Sequence, residues 1–81
     1  MAAKGKGQIE SESLIGKRSV LIAGHQTSVS LEHSFWRRLK EIAQSRGISL
    51  NRLITEIDRT RTGNLSSAIR VFVLDDALDK P

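Results

Sequence analysis

Polar and apolar residues alternate without a break from Gln26 to Leu31. Thr27, Val29 and Leu31 fall on one side of an extended chain, and Gln26, Ser28 and Ser30 on the other. A period of two with β-branched members predicts a half-buried strand. Past Leu31 the period lengthens. Phe35, Trp36, Leu39, Ile42 and Ala43 recur as on one face of an amphipathic helix. Gly47 stands where that helix should stop, with Arg46 in its last turn suiting the helix dipole. Ser49 then serves as the N-cap of a second helix with Leu50, Leu53, Ile54 and Ile57 on its apolar side. Thr62-Gly63-Asn64 breaks the pattern, and Asn64 caps a third periodic run through Leu65, Ala68, Ile69, Phe72 and Val73. Val71 and Leu74 widen that stripe until the third helix is apolar nearly all round, which predicts burial on several sides.

The expected fold is therefore mainly α with one short strand. A single strand leaves a row of N–H and C=O groups without partners. Residues Arg18 to Ile22 are aliphatic and β-branched enough to be extended, and Ser19-Val20-Leu21-Ile22 folding back as a hairpin is one remedy. Ala23-Gly24-His25 is an indifferent turn sequence for it. The other remedy is the same strand of a second chain, paired antiparallel about a two-fold axis. Chain length favours the second. Eighty-one residues make one small domain, which buries only about 60% of its unfolded surface when alone. Association strengthens a thin core and completes the strand together.

Composition narrows the possibilities. The 38% of apolar residues suffices for a core, and the lack of cysteine removes disulfides and thiolate metal sites. His25 and His33 match no ligand spacing, so neither a metal nor another cofactor is expected. No apolar run approaches a membrane span and the first residues lack the core of a secretory signal. A cytoplasmic protein without a membrane partner is the expectation. The net charge of +4 is uneven. Residues 1–24 carry four bases against two acids, residues 25–61 seven against four, and residues 62–81 two against three. Such an excess in the front and middle suits an anionic partner. Residues 1–16, rich in Gly, Ser, Lys and Glu, read as a flexible basic arm that includes Lys4 and Lys6. Residues 17–75 read as the folded domain and residues 76–81 as a tail.

The order strand, helix, Gly-containing turn, helix resembles the ribbon-helix-helix family of DNA-binding proteins, the β-ribbon readers of the Arc and MetJ type. The matching stretch is TSVSLEHSFWRRLKEIAQSRGISLNRLITEI, residues 27–57, and the wider run from Lys17 to Leu74 looks like a compact bacterial branch with an added third helix. The resemblance implies an intertwined homodimer whose two strands form an intermolecular antiparallel ribbon in the DNA major groove. Gln26, Ser28 and Ser30 would then face the bases, with Gln suited to adenine and Ser to several bases. The second-helix start at Ser49, Leu50 and Asn51 would hold phosphate, since free N–H groups meet a positive dipole end there. Lys17, Arg18 and His25 would reach flanking phosphates. The dimer core would comprise Val29, Leu31, Trp36, Leu39, Ile42, Leu53, Ile54 and Ile57. The outward strand positions themselves carry no Arg or Lys.

The function implied is sequence-specific binding of double-stranded DNA by a small bacterial transcription regulator, a repressor acting by site occlusion, with higher oligomers on DNA conceivable. The alternative is an interaction module or antitoxin whose third helix captures a protein partner. No catalytic constellation is visible. Ser66-Ser67 suits a helix start better than a nucleophile, and no paired-carboxylate site is visible. With three aromatic residues, Phe35, Trp36 and Phe72, all on helical stripes, single-strand binding by stacking is poorly supported.

Overall fold

The computed structural model of the protein describes residues 14–79. Lys4, Lys6 and the rest of the expected arm before Leu14 lie outside them, as do Lys80 and Pro81. Strands β1 (Ile15–Ile22) and β2 (His25–Glu32) are followed by helices α1 (His33–Arg46), α2 (Leu50–Thr60) and α3 (Leu65–Asp79). Two antiparallel strands and three helices agree with the ribbon-helix-helix reading. The arm drawn to residue 16 gives up Ile15 and Gly16 to β1, and α3 runs on through most of the supposed tail.

One expectation is corrected. The strand over Gln26–Leu31 is not single, because β1 of the same chain pairs with it along one rim from Ile15↔Glu32 to Ile22↔His25. The turn is the two-residue Ala23-Gly24, with φ of 52° and 83°. Positive φ at both central residues is the turn geometry whose twist matches two antiparallel strands. Glycine adopts it freely and alanine does not. The indifferent turn sequence is thus strained but sufficient. Replacing Ala23 by Asn should raise stability by roughly 0.5–1 kcal/mol, because Asn tolerates the left-handed region. Urea denaturation checks this, and no gain would mean that the turn stores no strain.

β1 is tied to the helices as well as to β2. The Leu14 carbonyl accepts from the His33 backbone N–H at 2.8 Å, satisfying a donor at the start of α1, where Glu32 provides no side-chain cap. Trp36 is buried, and its Nε1–H donates to the Gly16 carbonyl at 2.8 Å. Arg18 lies over the Trp36 ring, 5.1 Å from its centroid.

The core lies between the inner face of the hairpin and the three helices. Val29, Leu31, Trp36, Leu39, Ile42, Leu53, Ile54 and Ile57 are buried, joined by Val20, Ile22, Ala43, Ile69 and Val73. All thirteen are buried within the chain by itself. Val20 and Ile22 from β1, with Ile69 and Val73 from α3, supply the apolar cover. Thr27 shares the inner face opposite Val20 yet is exposed.

Local signals placed the helix ends. Gly47 ends α1 at φ 70°, and its N–H and that of Ile48 bond back to Gln44 and Ala43. The Ser49 side chain accepts from the Arg52 N–H at 3.1 Å, and Asn64 Oδ1 accepts from the Ser67 N–H at 3.2 Å. The third helix departs from expectation. Only Ile69 and Val73 are buried, whereas Val71, Leu74 and Leu78 are exposed, so α3 is covered on one side. Two ion pairs hold it there. Arg70 donates to Glu32 at 3.0 Å and Arg38 to Asp76 at 2.8 Å. Hydrogen bonding to its own backbone and to Arg70 holds the Glu32 carboxyl below its ordinary range.

Candidate nucleic-acid interface

Directly opposed residues of an antiparallel pair share a face, so the register of the hairpin defines its outer surface. Lys17 lies opposite Ser30, Ser19 opposite Ser28, and Leu21 opposite Gln26. All six are exposed, and all lie opposite the face that carries Val20, Ile22, Val29 and Leu31. The expected outward set Gln26, Ser28 and Ser30 is therefore brought together on one surface. β1 adds three residues to it. Ser19 and Leu21 were not singled out in the sequence because β1 was not expected to pair with β2. Lys17 supplies the cation that the β2 positions lack.

The remaining expected contacts divide. Arg18 is on the inner face against Trp36, so it does not accompany its neighbour Lys17. His25 is exposed at the tip, opposite Ile22. Ser49, Leu50 and Asn51 begin α2, with Leu50 half-buried. The Asn51 side chain is committed to the hairpin. Its Oδ1 accepts from the Leu21 N–H at 2.8 Å and its Nδ2 donates to the Leu21 carbonyl at 2.7 Å. It thereby imitates a neighbouring strand at one residue of β1. Thirty positions separate the partners, which is why no local pattern announces the contact.

Those two bonds fix the geometry of the rims. Leu21 points its N–H and C=O away from β2, so Leu21–Gln26 is a non-hydrogen-bonded pair, and by alternation so are Ser19–Ser28 and Lys17–Ser30. Gln26, Ser28 and Ser30 consequently direct their backbone groups to the free rim of β2. Among the described residues nothing pairs with that rim. The rim of β1 is met by the N-terminus of α2. There the Arg52 N–H is taken by Ser49, while no protein acceptor among the described residues meets the N–H of Leu50 or Asn51. A two-stranded surface of hydrogen-bonding side chains thus has free N–H and C=O groups along one rim and a helix N-terminus, which favours anions, beside the other.

Residues 15–77 match the model of the ribbon-helix-helix domain. The chain belongs to the ribbon-helix-helix family. This is a family of DNA-binding proteins of the transcription-regulator type rather than of enzymes. Among solved structures, an uncharacterized protein from Bordetella pertussis is similar at 31% sequence identity and a TM-score of 0.76. The similarity covers 85% of this chain and 60% of that one, so this ribbon-helix-helix chain spans rather more than half of its relative's length. No curated protein matches the chain. Among the described residues no helix is long and apolar enough to cross a membrane.

Proposed function

We propose that this ribbon-helix-helix protein binds double-stranded DNA in a sequence-specific way, with the outer face of its own hairpin in the major groove. The observation that carries the reading is the shared exposed face of Gln26, Ser28 and Ser30 with Lys17, Ser19 and Leu21. Gln26 can take an adenine edge bidentately, the serines can donate to or accept from several bases, and Leu21 can meet a thymine methyl. The rim N–H groups of β2 and the N-terminus of α2 at Ser49, Leu50 and Asn51 would meet the phosphates of the two groove walls. His25 at the tip and Lys17 at the flank add to that hold.

Width favours the single-chain ribbon as the groove element. Strands about 4.8 Å apart put the outer strands of a four-stranded sheet roughly 14 Å apart, more than the groove of about 12 Å. A second copy paired along the free rim of β2 would make such a sheet. Two protomers on a roughly palindromic site, each with its own hairpin in the groove, explain a homodimer on DNA and repression by occlusion of the site. Nothing in the reading calls for a cofactor, and a bacterial cytoplasm is its natural setting.

Two substitutions separate the roles. Gln26→Ala should cost about 1–3 kcal/mol of discrimination at one base pair, with non-specific binding nearly unchanged. Lys17→Ala should weaken all sequences alike and flatten the salt dependence by about 0.9 in log–log slope. Selection from random duplexes and salt titration of binding supply both numbers. Equal loss of specific and non-specific binding in Gln26→Ala would count against base readout by that residue.

A further inference from the structure

From the outer side of α3 we infer a docking site for a basic amphipathic helix of a partner protein, separate from the DNA-reading face. Val71, Leu74 and Leu78 recur at i, i+3 and i+7 on the side opposite the buried Ile69 and Val73, and are 55%, 56% and 74% exposed. Beside them the helix joins a groove of about 480 Å³ lined by Leu53, Ile57, Ala68 and Phe72 and also by Arg46, which lies over Phe72, and Arg61, which is bonded to Asp58. Stripe and groove together have the form that receives a helix presenting apolar anchors one turn apart.

Charge selects the occupant. Asp75 and Asp79 run along the stripe one turn apart, both exposed, and among the described residues neither has an ion-pair partner. Two cations that reach α3 or lie on it are committed elsewhere: Arg70 is bonded to Glu32 and lies over Phe35, and Arg38 is bonded to Asp76. A second copy packed antiparallel along the stripe would bring Asp75 against its own counterpart, and one packed parallel would offer Arg70 already engaged. A helix with Lys or Arg flanking its apolar anchors meets both the stripe and the acidic row.

The probe is a fluorescent peptide of about 18 residues with Leu at i, i+3, i+4 and i+7 on a Lys and Ala background. Its control has Glu in place of every Lys. The full chain carries +4, so bulk charge repels the Lys peptide, and its binding reports the local acidic row. The Lys peptide should bind at least about tenfold more tightly than the Glu peptide. Leu74→Ser with Leu78→Ser should weaken it at least about tenfold, and Asp75→Asn with Asp79→Asn should remove most of its salt dependence. Both double variants should keep the helical spectrum and the DNA affinity of the parent, because all four side chains are solvent-exposed. Equal binding of the two peptides, or binding untouched by the Leu changes, would overturn the site. So would a dimer in solution that the Leu74→Ser, Leu78→Ser variant dissociates, since a second copy would then own the stripe.

Discussion

Ser28→Glu should abolish specific DNA binding while leaving the fold intact. Ser28 is exposed at the middle of the outer face, opposite Ser19 in a non-hydrogen-bonded pair. The new carboxylate would displace no core atom and break no strand hydrogen bond. In the major groove it would meet a polyanion at close range, where like charge costs several kcal/mol. An affinity loss of at least about a hundredfold follows, since each 1.4 kcal/mol is a factor of ten. Binding isotherms at one fixed salt concentration, beside an unchanged urea midpoint, are the check. Retained affinity in a folded Ser28→Glu protein would move the interface off this face.

Leu53→Ala should cost about 3–5 kcal/mol. The side chain is completely buried between the helices, and loss of its methyl groups leaves a cavity that neighbouring side chains cannot close without moving α2. A domain of this size has a total stability of about 4–12 kcal/mol at the usual value per residue, so much of it would be lost. Urea unfolding followed by far-ultraviolet circular dichroism measures the change. Because Leu53 and its neighbours are buried within one protomer, the parent's midpoint should not move over about a hundredfold dilution. A midpoint that falls on dilution would return the core to an intertwined dimer.

What the sequence disclosed, and what it hid, divides by range. The stripes of α1 and α2, the stop at Gly47 and the caps at Ser49 and Asn64 are local, and each was readable from residues within a turn or two. The alternation through Val29 and Leu31 likewise fixed which face of β2 is outward, because a one-residue slip would bury Ser28 and Ser30. The hairpin was not readable. Ala23 occupies a left-handed position that glycine or asparagine would have signalled, so the chain appeared to need a second copy for its strand. From that one turn follow the other differences. Ser19 and Leu21 join the outer face, Lys17 parts from Arg18, and Val20 and Ile22 join the core. The side-chain bonds of Asn51 to Leu21 and the stacking of Arg18 on Trp36 join distant stretches of chain, and no periodicity encodes such contacts. The helix α3 misled differently. Hydrophobicity all round predicted burial all round, whereas the structure places one apolar stripe in the core and leaves the opposite one exposed.

The claim on which the account stands is that the outer face of the hairpin lies in the major groove. The chain contains no cysteine, so Ser28→Cys provides a single thiol at the centre of that face. Disulfide trapping should be measured against duplexes of a selected site that carry a tethered thiol either on a major-groove or on a minor-groove base edge, with Ser67→Cys on α3 as the control. The account predicts rapid trapping of Cys at position 28 by the major-groove tether alone, and none at position 67. Trapping by the minor-groove tether, or equal trapping at both protein positions, would contradict it.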